Sequence, residues 1–134
     1  MKAIDIMPQK TRVSPSLEDY LETILFLSQK KDAVRVTDIA SDMNISKPSV
    51  NKAMNLLKSK GLVEHEHYGT ISLTSRGLEI AQNIAGRHTI IKRFLMGLLG
   101  VEEEVAEEEA CLIEHSMSKD TVDKLNNYVN SVLK

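Results

Sequence analysis

Three residues near the end of the chain have side chains that commonly bind transition metals. Cys111, Glu114 and His115 stand at positions i, i+3 and i+4. On a helix this spacing places all three on one face, close enough to bind a single ion. A thiolate, a carboxylate and an imidazole form a transition-metal ligand set, unlike the all-oxygen sets of Ca²⁺ or Mg²⁺. The triplet indicates a metal site, although a buried structural cysteine beside a surface Glu–His pair would explain the same residues.

Further donors lie earlier in the chain. Asp19 and Glu22 stand at i and i+3 in an apolar segment, and His88 follows the small residue Gly86 in a long helical pattern. If the helices that carry these residues pack together, six donors converge. Taken singly, each has a structural explanation, since Asp19 and Glu22 also fit the solvated face of an amphipathic helix.

The spacing of apolar residues predicts the helices that must position these donors. A cap at Ser16 predicts where the first helix begins. A glycine within the long helical region could bend it or divide it in two. The predicted helical segments run from Ser16 to about 30–32, from Thr74 or Ser75 to Gly100 with the interruption at Gly86, over about 102–115, and over 118–133.

Between the first and the long helical segments, the pattern is typical of a winged helix. A short helix over 36–43, capped by Thr37, is followed by a turn at Asn44 and a helix over 47–60. Residues 62–73 then alternate around a turn at 68–69, which predicts a β-hairpin. The predicted fold is mostly α with a small β-hairpin wing. It comprises an N-terminal winged helix-turn-helix domain in residues 1–75 and a C-terminal helical dimerisation domain in residues 76–134.

The helix over 47–60 is the candidate recognition helix, because residues 46–60 contain four lysines and no acidic residue. The N-terminal residues of such a helix reach base edges, where Asn pairs with adenine and Lys with guanine. The alternative is a helical pair in a protein-interaction domain. The candidate DNA-binding residues are Thr37, Ser46, Lys47, Pro48, Ser49, Asn51, Lys52, Lys58, His67 and Tyr68.

Composition excludes several classes of protein. The chain has 134 residues, of which 42% are hydrophobic and 27% charged, as in soluble globular proteins. Aromatic residues make up only 4%, which argues against a stacking platform for single-stranded nucleic acid. The single cysteine excludes an intramolecular disulfide, and residues 1–13 lack a signal-peptide core. No apolar run is long enough to cross a bilayer, so we expect a cytoplasmic protein.

Together these motifs resemble the metal-dependent repressors of the diphtheria-toxin-repressor and manganese-transport-regulator family. The resemblance covers residues 16–133 and rests on Ser16-Leu-Glu-Asp-Tyr-Leu-Glu22, the winged helix, Gly86-Arg-His88 and Cys111-Leu-Ile-Glu-His115. It is closest to the short two-domain branch, since no SH3-like third domain is expected after the last helix. The metal ligands that it implies are Asp19, Glu22, His88, Cys111, Glu114 and His115.

The chain departs from both branches of this family. Asp19 is similar to the manganese branch, whereas Cys111 is similar to the iron branch. Lys92 stands where both branches have Glu, and Glu107 stands where the iron branch has an ancillary ligand, so Glu107 is in a position to pair with Lys92. These departures favour one ion per subunit. Mn²⁺ or Fe²⁺ is the expected cofactor, and Zn²⁺ or Co²⁺ is expected to bind in vitro.

The expected function is metal-dependent transcriptional repression of metal homeostasis genes. The expected partners are double-stranded DNA with an inverted-repeat operator and a second copy of the chain, with no membrane association. A winged-helix regulator that does not use metal is the main alternative, and DNA binding in the absence of metal would identify it. A metalloenzyme is disfavoured because six protein donors would saturate the ion and no separate general base is visible. A protein that only stores metal is also disfavoured, because storage does not require a basic recognition helix.

Overall fold

The structure is a computed structural model that describes residues 16–66 and 69–133. The N-terminal arm and the predicted DNA contacts at His67 and Tyr68 lie outside the described residues. Contacts within the chain divide it into two compact units, Met1–Thr74 and Ser75–Lys134. The elements in chain order are α1 (Leu17–Ser28), β1 (Val34–Arg35), α2 (Val36–Met43), α3 (Lys47–Ser59), β2 (Val63–His65), β3 (Thr70–Leu73), α4 (Ser75–Gly97), α5 (Glu103–Ile113) and α6 (Lys119–Val132).

The first unit begins with a capped helix. The Ser16 hydroxyl accepts a hydrogen bond from the Asp19 amide at 3.1 Å, and Asp19 Oδ2 accepts one from the Ser16 amide at 2.9 Å. This reciprocal pair satisfies two backbone donors and fixes the start of α1. The helix ends at Ser28, slightly before the predicted 30–32.

The turn between α2 and α3 depends on one left-handed residue. Asn44 has φ 56° and ψ 49°, and its amide donates to the carbonyl of Ala40, which ends α2. Ser46 then caps α3. Beneath the turn, Ile39, Val50 and Met54 are completely buried, so the two helices share one apolar core.

Thr37 does not cap α2 as predicted. The helix spans Val36–Met43, as predicted, but Arg35 stands at the capping position. The carboxylate of Asp38 accepts a hydrogen bond from the Arg35 amide at 2.9 Å. Thr37 lies within the first turn because Asp38, three residues after Arg35, supplies the oxygen that satisfies the amide at the helix start.

The wing is confirmed as a hairpin, and a third strand completes it. Strands β2 and β3 pair antiparallel, with Val63 opposite Leu73. The two-residue strand β1, too short for any alternation to be recognised in the sequence, pairs with the outer side of β3, with Val34 opposite Ile71. The order in the sheet is β1-β3-β2.

The second unit consists of three helices. Helix α4 runs without interruption through Gly86, so the glycine does not divide it. Helix α5 ends at Ile113, and Glu114 is its C-terminal cap. The core consists of the buried residues Ile90, Ile91, Leu95, Ala106, Ala110 and Val129.

The predicted fold class is confirmed: the described residues form a predominantly helical protein with a small antiparallel sheet. Within the described residues, every helix is too short or too polar to span a membrane.

The left-handed turn leads to a stability prediction. Replacing Asn44 by Val should lower the free energy of unfolding by about 1–2 kcal/mol, because a β-branched side chain is disfavoured at positive φ. Asn44→Gly is the control and should stay much closer to the wild type, since glycine tolerates this conformation. Urea unfolding followed by far-UV circular dichroism measures both. Equal stability of the two variants would contradict this account of the turn.

Candidate metal centre and nucleic-acid interface

The packing of α5 on α4 positions the donors of the second unit. Ala106 and Ala110 are completely buried, one turn apart on the inner face of α5. Such small side chains let two helix backbones approach closely. Cys111 is adjacent to this face, and His88 comes from α4.

Glu114 is at the centre of the candidate metal site. It is 1% exposed and is the only buried charged residue among those described. Its Oε1 lies 2.8 Å from Nδ1 of His88, and its Oε2 lies 3.4 Å from Nε2 of His115. The contact with His115 is an ion pair without a hydrogen bond, so Glu114 Oε2 has no hydrogen-bond partner. A buried carboxylate oxygen without a hydrogen bond is costly and fits the place of a metal ligand.

His88 is surrounded by acidic groups on both sides of its ring. Nδ1 lies 3.8 Å from the Cys111 sulfur, and Nε2 lies 2.9 Å from Glu107 Oε2. Hydrogen bonds to Cys111, Glu114 and Glu107 raise the pKa of His88 to about 11, although burial opposes this. The His88 ring is therefore protonated at neutral pH, and it would have to lose a proton before it could bind an ion.

Glu107 bridges His88 to Lys92. The Lys92 ammonium lies 3.0 Å from Glu107 Oε1 and 3.4 Å from Glu103 Oε2. The expected pairing of Glu107 with Lys92 is thus confirmed. The hydrogen bonds from His88 and then Lys92 lower the pKa of Glu107, and the bond to Glu107 raises the pKa of Lys92.

The structure brings four of the six predicted donors together in the second unit: His88, Cys111, Glu114 and His115. Glu107 joins them, since one ligand atom each of His88, Glu107 and Cys111 lies within 4.8 Å of the other two. Asp19 and Glu22 belong to the first unit, where they stand three residues apart on α1. Asp19 is also part of the cap of that helix.

Arg87 is a positioning residue that the sequence did not single out. Its Nη1 donates to the backbone carbonyls of Glu114 and Met117, each at 3.1 Å. Both carbonyls lie just beyond the end of α5 at Ile113, where the helix no longer supplies amide donors. Arg87 thus fixes the backbone at Glu114. An arginine beside the candidate ligand His88 was the only sequence signal for this role.

The candidate recognition helix exposes its polar residues and buries the opposite side. Val50, Ala53, Met54 and Leu57 are buried. The Ser46 hydroxyl accepts from the Ser49 amide at 3.2 Å and donates to the Ser49 hydroxyl at 2.9 Å. The predicted DNA contacts on and before this helix are all exposed: Ser46, Lys47, Pro48, Ser49, Asn51, Lys52 and Lys58.

The charge of this surface suits phosphates. The first turn of α3 contains no acidic residue, so the positive end of its helix dipole is not neutralised there. Thr37 is exposed on α2. Arg35, which the sequence analysis did not select, is also exposed, and its guanidinium lies beside Gly69 in the wing turn. No periodicity or motif distinguished Arg35 from other surface arginines.

Two family models match successive parts of the chain. The iron dependent repressor N-terminal DNA binding domain matches residues 12–71. The iron dependent repressor metal binding and dimerisation domain matches residues 74–133.

Individual relatives agree with these matches. An uncharacterized HTH-type transcriptional regulator of Methanocaldococcus jannaschii is 37% identical over 87% of this chain and 94% of its own length. The HTH-type transcriptional regulator MntR of Bacillus subtilis is 34% identical over 87% of this chain and 81% of its own length.

Solved structures share the fold. The manganese regulator SloR has a TM-score of 0.79 and 30% identity, covering 88% of this chain and 55% of its own. IdeR of T. acidophilum has a TM-score of 0.78 and 28% identity, covering 89% of this chain and 56% of its own. The chain therefore spans little more than half the length of these two proteins.

Proposed function

Because this chain belongs to the iron-dependent repressor family of metal-dependent transcriptional repressors, we propose that it represses metal homeostasis genes in response to Mn²⁺ or Fe²⁺. The observation that carries the proposal is the buried Glu114 carboxylate, which lies between two imidazoles and has one oxygen without a hydrogen bond. That oxygen is a suitable ligand for a divalent cation, whereas the metal-independent alternative leaves it without a role.

The proposed ligands are Asp19, Glu22, His88, Cys111, Glu114 and His115. Their contacts within the second unit and the family resemblance support this set. We propose that residues 1–75 form the DNA-binding domain and that residues 76–134 form the metal-binding and dimerisation domain.

The proposed control of DNA binding follows from the distribution of charge. When bound, a divalent cation neutralises carboxylates and links ligands from different helices. Without it, the uncompensated negative charge of the proposed carboxylate ligands favours arrangements unsuited to the operator. Metal thus shifts the population towards the DNA-binding state, and DNA must strengthen metal binding by the same factor.

The donor set does not by itself choose between the two metals. Mn²⁺ prefers oxygen ligands, and three proposed carboxylates supply them. The Cys111 thiolate favours Fe²⁺, and in vitro it favours Zn²⁺ or Co²⁺ as well. Cys111 is an exposed, free cysteine. Spectroscopy can test whether its sulfur binds the ion.

We infer that the repressor acts as a homodimer on an inverted-repeat operator. Matching recognition helices in two subunits would meet successive major grooves about 34 Å apart. Apolar side chains left exposed in the second unit provide surface for a second copy: Leu78, Met96, Leu99, Val105, Tyr128 and Val132. The proposal places the protein in the cytoplasm, with a regulatory rather than a catalytic role.

One prediction of the proposed function concerns the buried carboxylate of Glu114. Glu114→Ala and His115→Ala should abolish metal-dependent operator binding, because each removes a proposed ligand. Fluorescence anisotropy with labelled operator DNA, with and without Mn²⁺, measures this loss. Glu109→Ala, at an exposed position of the same helix, is the matched control, and gel filtration checks that all variants remain dimers. Unchanged metal dependence in both ligand variants would refute the proposal.

A second prediction concerns Cys111. Anaerobic titration of the metal-free protein with Co²⁺ should saturate near one ion per subunit and produce a thiolate-to-metal charge-transfer band. Cys111→Ser should lose the band while still binding Co²⁺. A wild-type protein that binds Co²⁺ without this band would remove the sulfur from the ligand set. A protein that binds no ion would overturn metal control altogether.

A third prediction concerns the recognition helix. Lys47→Ala and Lys52→Ala should weaken operator binding. Where the lysine contacts a phosphate, the slope of log K against log[salt] should fall by about one unit. Lys124→Ala, on α6 of the other unit, removes the same charge and should leave the slope unchanged. Equal slopes for all four proteins would exclude phosphate contacts by these two lysines.

A further inference from the structure

We propose that Glu107, held by Lys92, positions His88 so that the ion binds at Nδ1, and that the charge of Lys92 prevents a second ion from binding at Nε2. This inference rests on the proposed function, because it concerns the same site. It assigns roles to two residues outside the proposed ligand set.

The two nitrogens of His88 face different surroundings. Nδ1 faces Glu114 at 2.8 Å and the Cys111 sulfur at 3.8 Å, both proposed ligands. Nε2 faces Glu107 at 2.9 Å. A metal-binding histidine generally donates its other ring N–H to a carboxylate, which fixes the tautomer and the orientation of the ring. Glu107 is placed to accept that hydrogen bond while Nδ1 binds the ion.

Both oxygens of Glu107 are engaged. Oε2 faces His88, and Oε1 lies 3.0 Å from the Lys92 ammonium. Lys92 is only 26% exposed and also contacts Glu103. A carboxylate held at both oxygens keeps its place beside His88 and is a poor ligand for a further ion.

The Nε2 side of His88 offers ligands for a second ion, because Glu107 Oε2 lies 2.9 Å from that nitrogen. An ion at Nε2 would share Glu107 with the ammonium group. The second ion would then lie beside the Lys92 ammonium, and two neighbouring positive charges repel each other. The Lys92 side chain thus already provides the positive charge that a second ion would bring.

The first test counts ions. Metal-free wild-type protein, Lys92→Glu and Lys92→Gln are dialysed to equilibrium against Mn²⁺, and bound metal is measured by mass spectrometry. We expect one ion per subunit in the wild type and two in Lys92→Glu, where a carboxylate replaces the ammonium. The neutral Lys92→Gln should also gain a second, weaker ion, and it remains informative if Lys92→Glu does not fold.

The matched control is Lys124→Glu, which makes the same charge change on α6. Lys124 pairs with Asp120 on the surface, with both side chains more than three-quarters exposed. It should bind one ion. Two ions in the wild type, or one ion in both Lys92 variants, would overturn the inference while leaving metal control intact. No ion in the wild type would overturn the proposed function as well.

The second test concerns the position of His88. Glu107→Ala should lower the affinity for Mn²⁺ by about 10- to 100-fold, as loss of a carboxylate behind a histidine ligand usually does. Glu108→Ala, next to it and also exposed, should leave the affinity unchanged. An equal affinity in the two variants would contradict a positioning role.

A spectroscopic readout separates positioning from mere stability. In the Zn²⁺-loaded wild type, long-range ¹H–¹⁵N spectra of His88 should show the proton on Nε2. Glu107→Ala should lose this single ordered signal even where its far-UV circular dichroism matches the wild type. A proton on Nδ1 in the loaded wild type would place the ion on the other nitrogen and refute the inference.

Discussion

The second unit is organised around one buried charge. Glu114 lies out of solvent between the imidazoles of His88 and His115. Removing one partner of a buried ion pair leaves a desolvated charge, which typically costs several kcal/mol. The close packing of α4 and α5, the C-terminal end of α5 and the contacts of Arg87 all serve to keep this carboxylate in place.

The size of the buried residues determines the geometry of the site as much as the charge of its side chains does. Ala106 and Ala110 allow α5 to lie close to α4, and only then do side chains of ordinary length from the two helices meet. A larger residue at either position would separate His88 from Cys111 and Glu114. The apolar residues of this unit thus determine the geometry of its polar ones.

Much of this was predictable because regular spacing carries strong signals. The period of 3.6 residues identified the helices, and the cap at Ser16 identified the start of the first. The weak signals were missed: β1 has two residues, too few to show alternation, and Asp38 rather than Thr37 secures the start of α2.

The site was predictable only in part. Donor type and spacing selected His88, Cys111, Glu114 and His115, which meet in the second unit. The contacts of Arg87 depend on where α5 ends, at Ile113 rather than at 115, and helix ends are the least regular part of a sequence pattern. The place of Arg35 beside the wing depends on a three-dimensional neighbour that no local pattern encodes.

The left-handed residue at Asn44 sets the direction in which α3 leaves the turn. Thirteen residues at 1.5 Å each give a helix about 20 Å long. A change of about 10° in this direction displaces Lys58 by roughly 3 Å but moves the residues of the first turn by less than about 1 Å. Ser46, Lys47 and Ser49 lie close to the turn, so their positions depend least on the direction of the helix. The side chains proposed to contact bases are therefore those whose positions tolerate the most variation in the direction of α3.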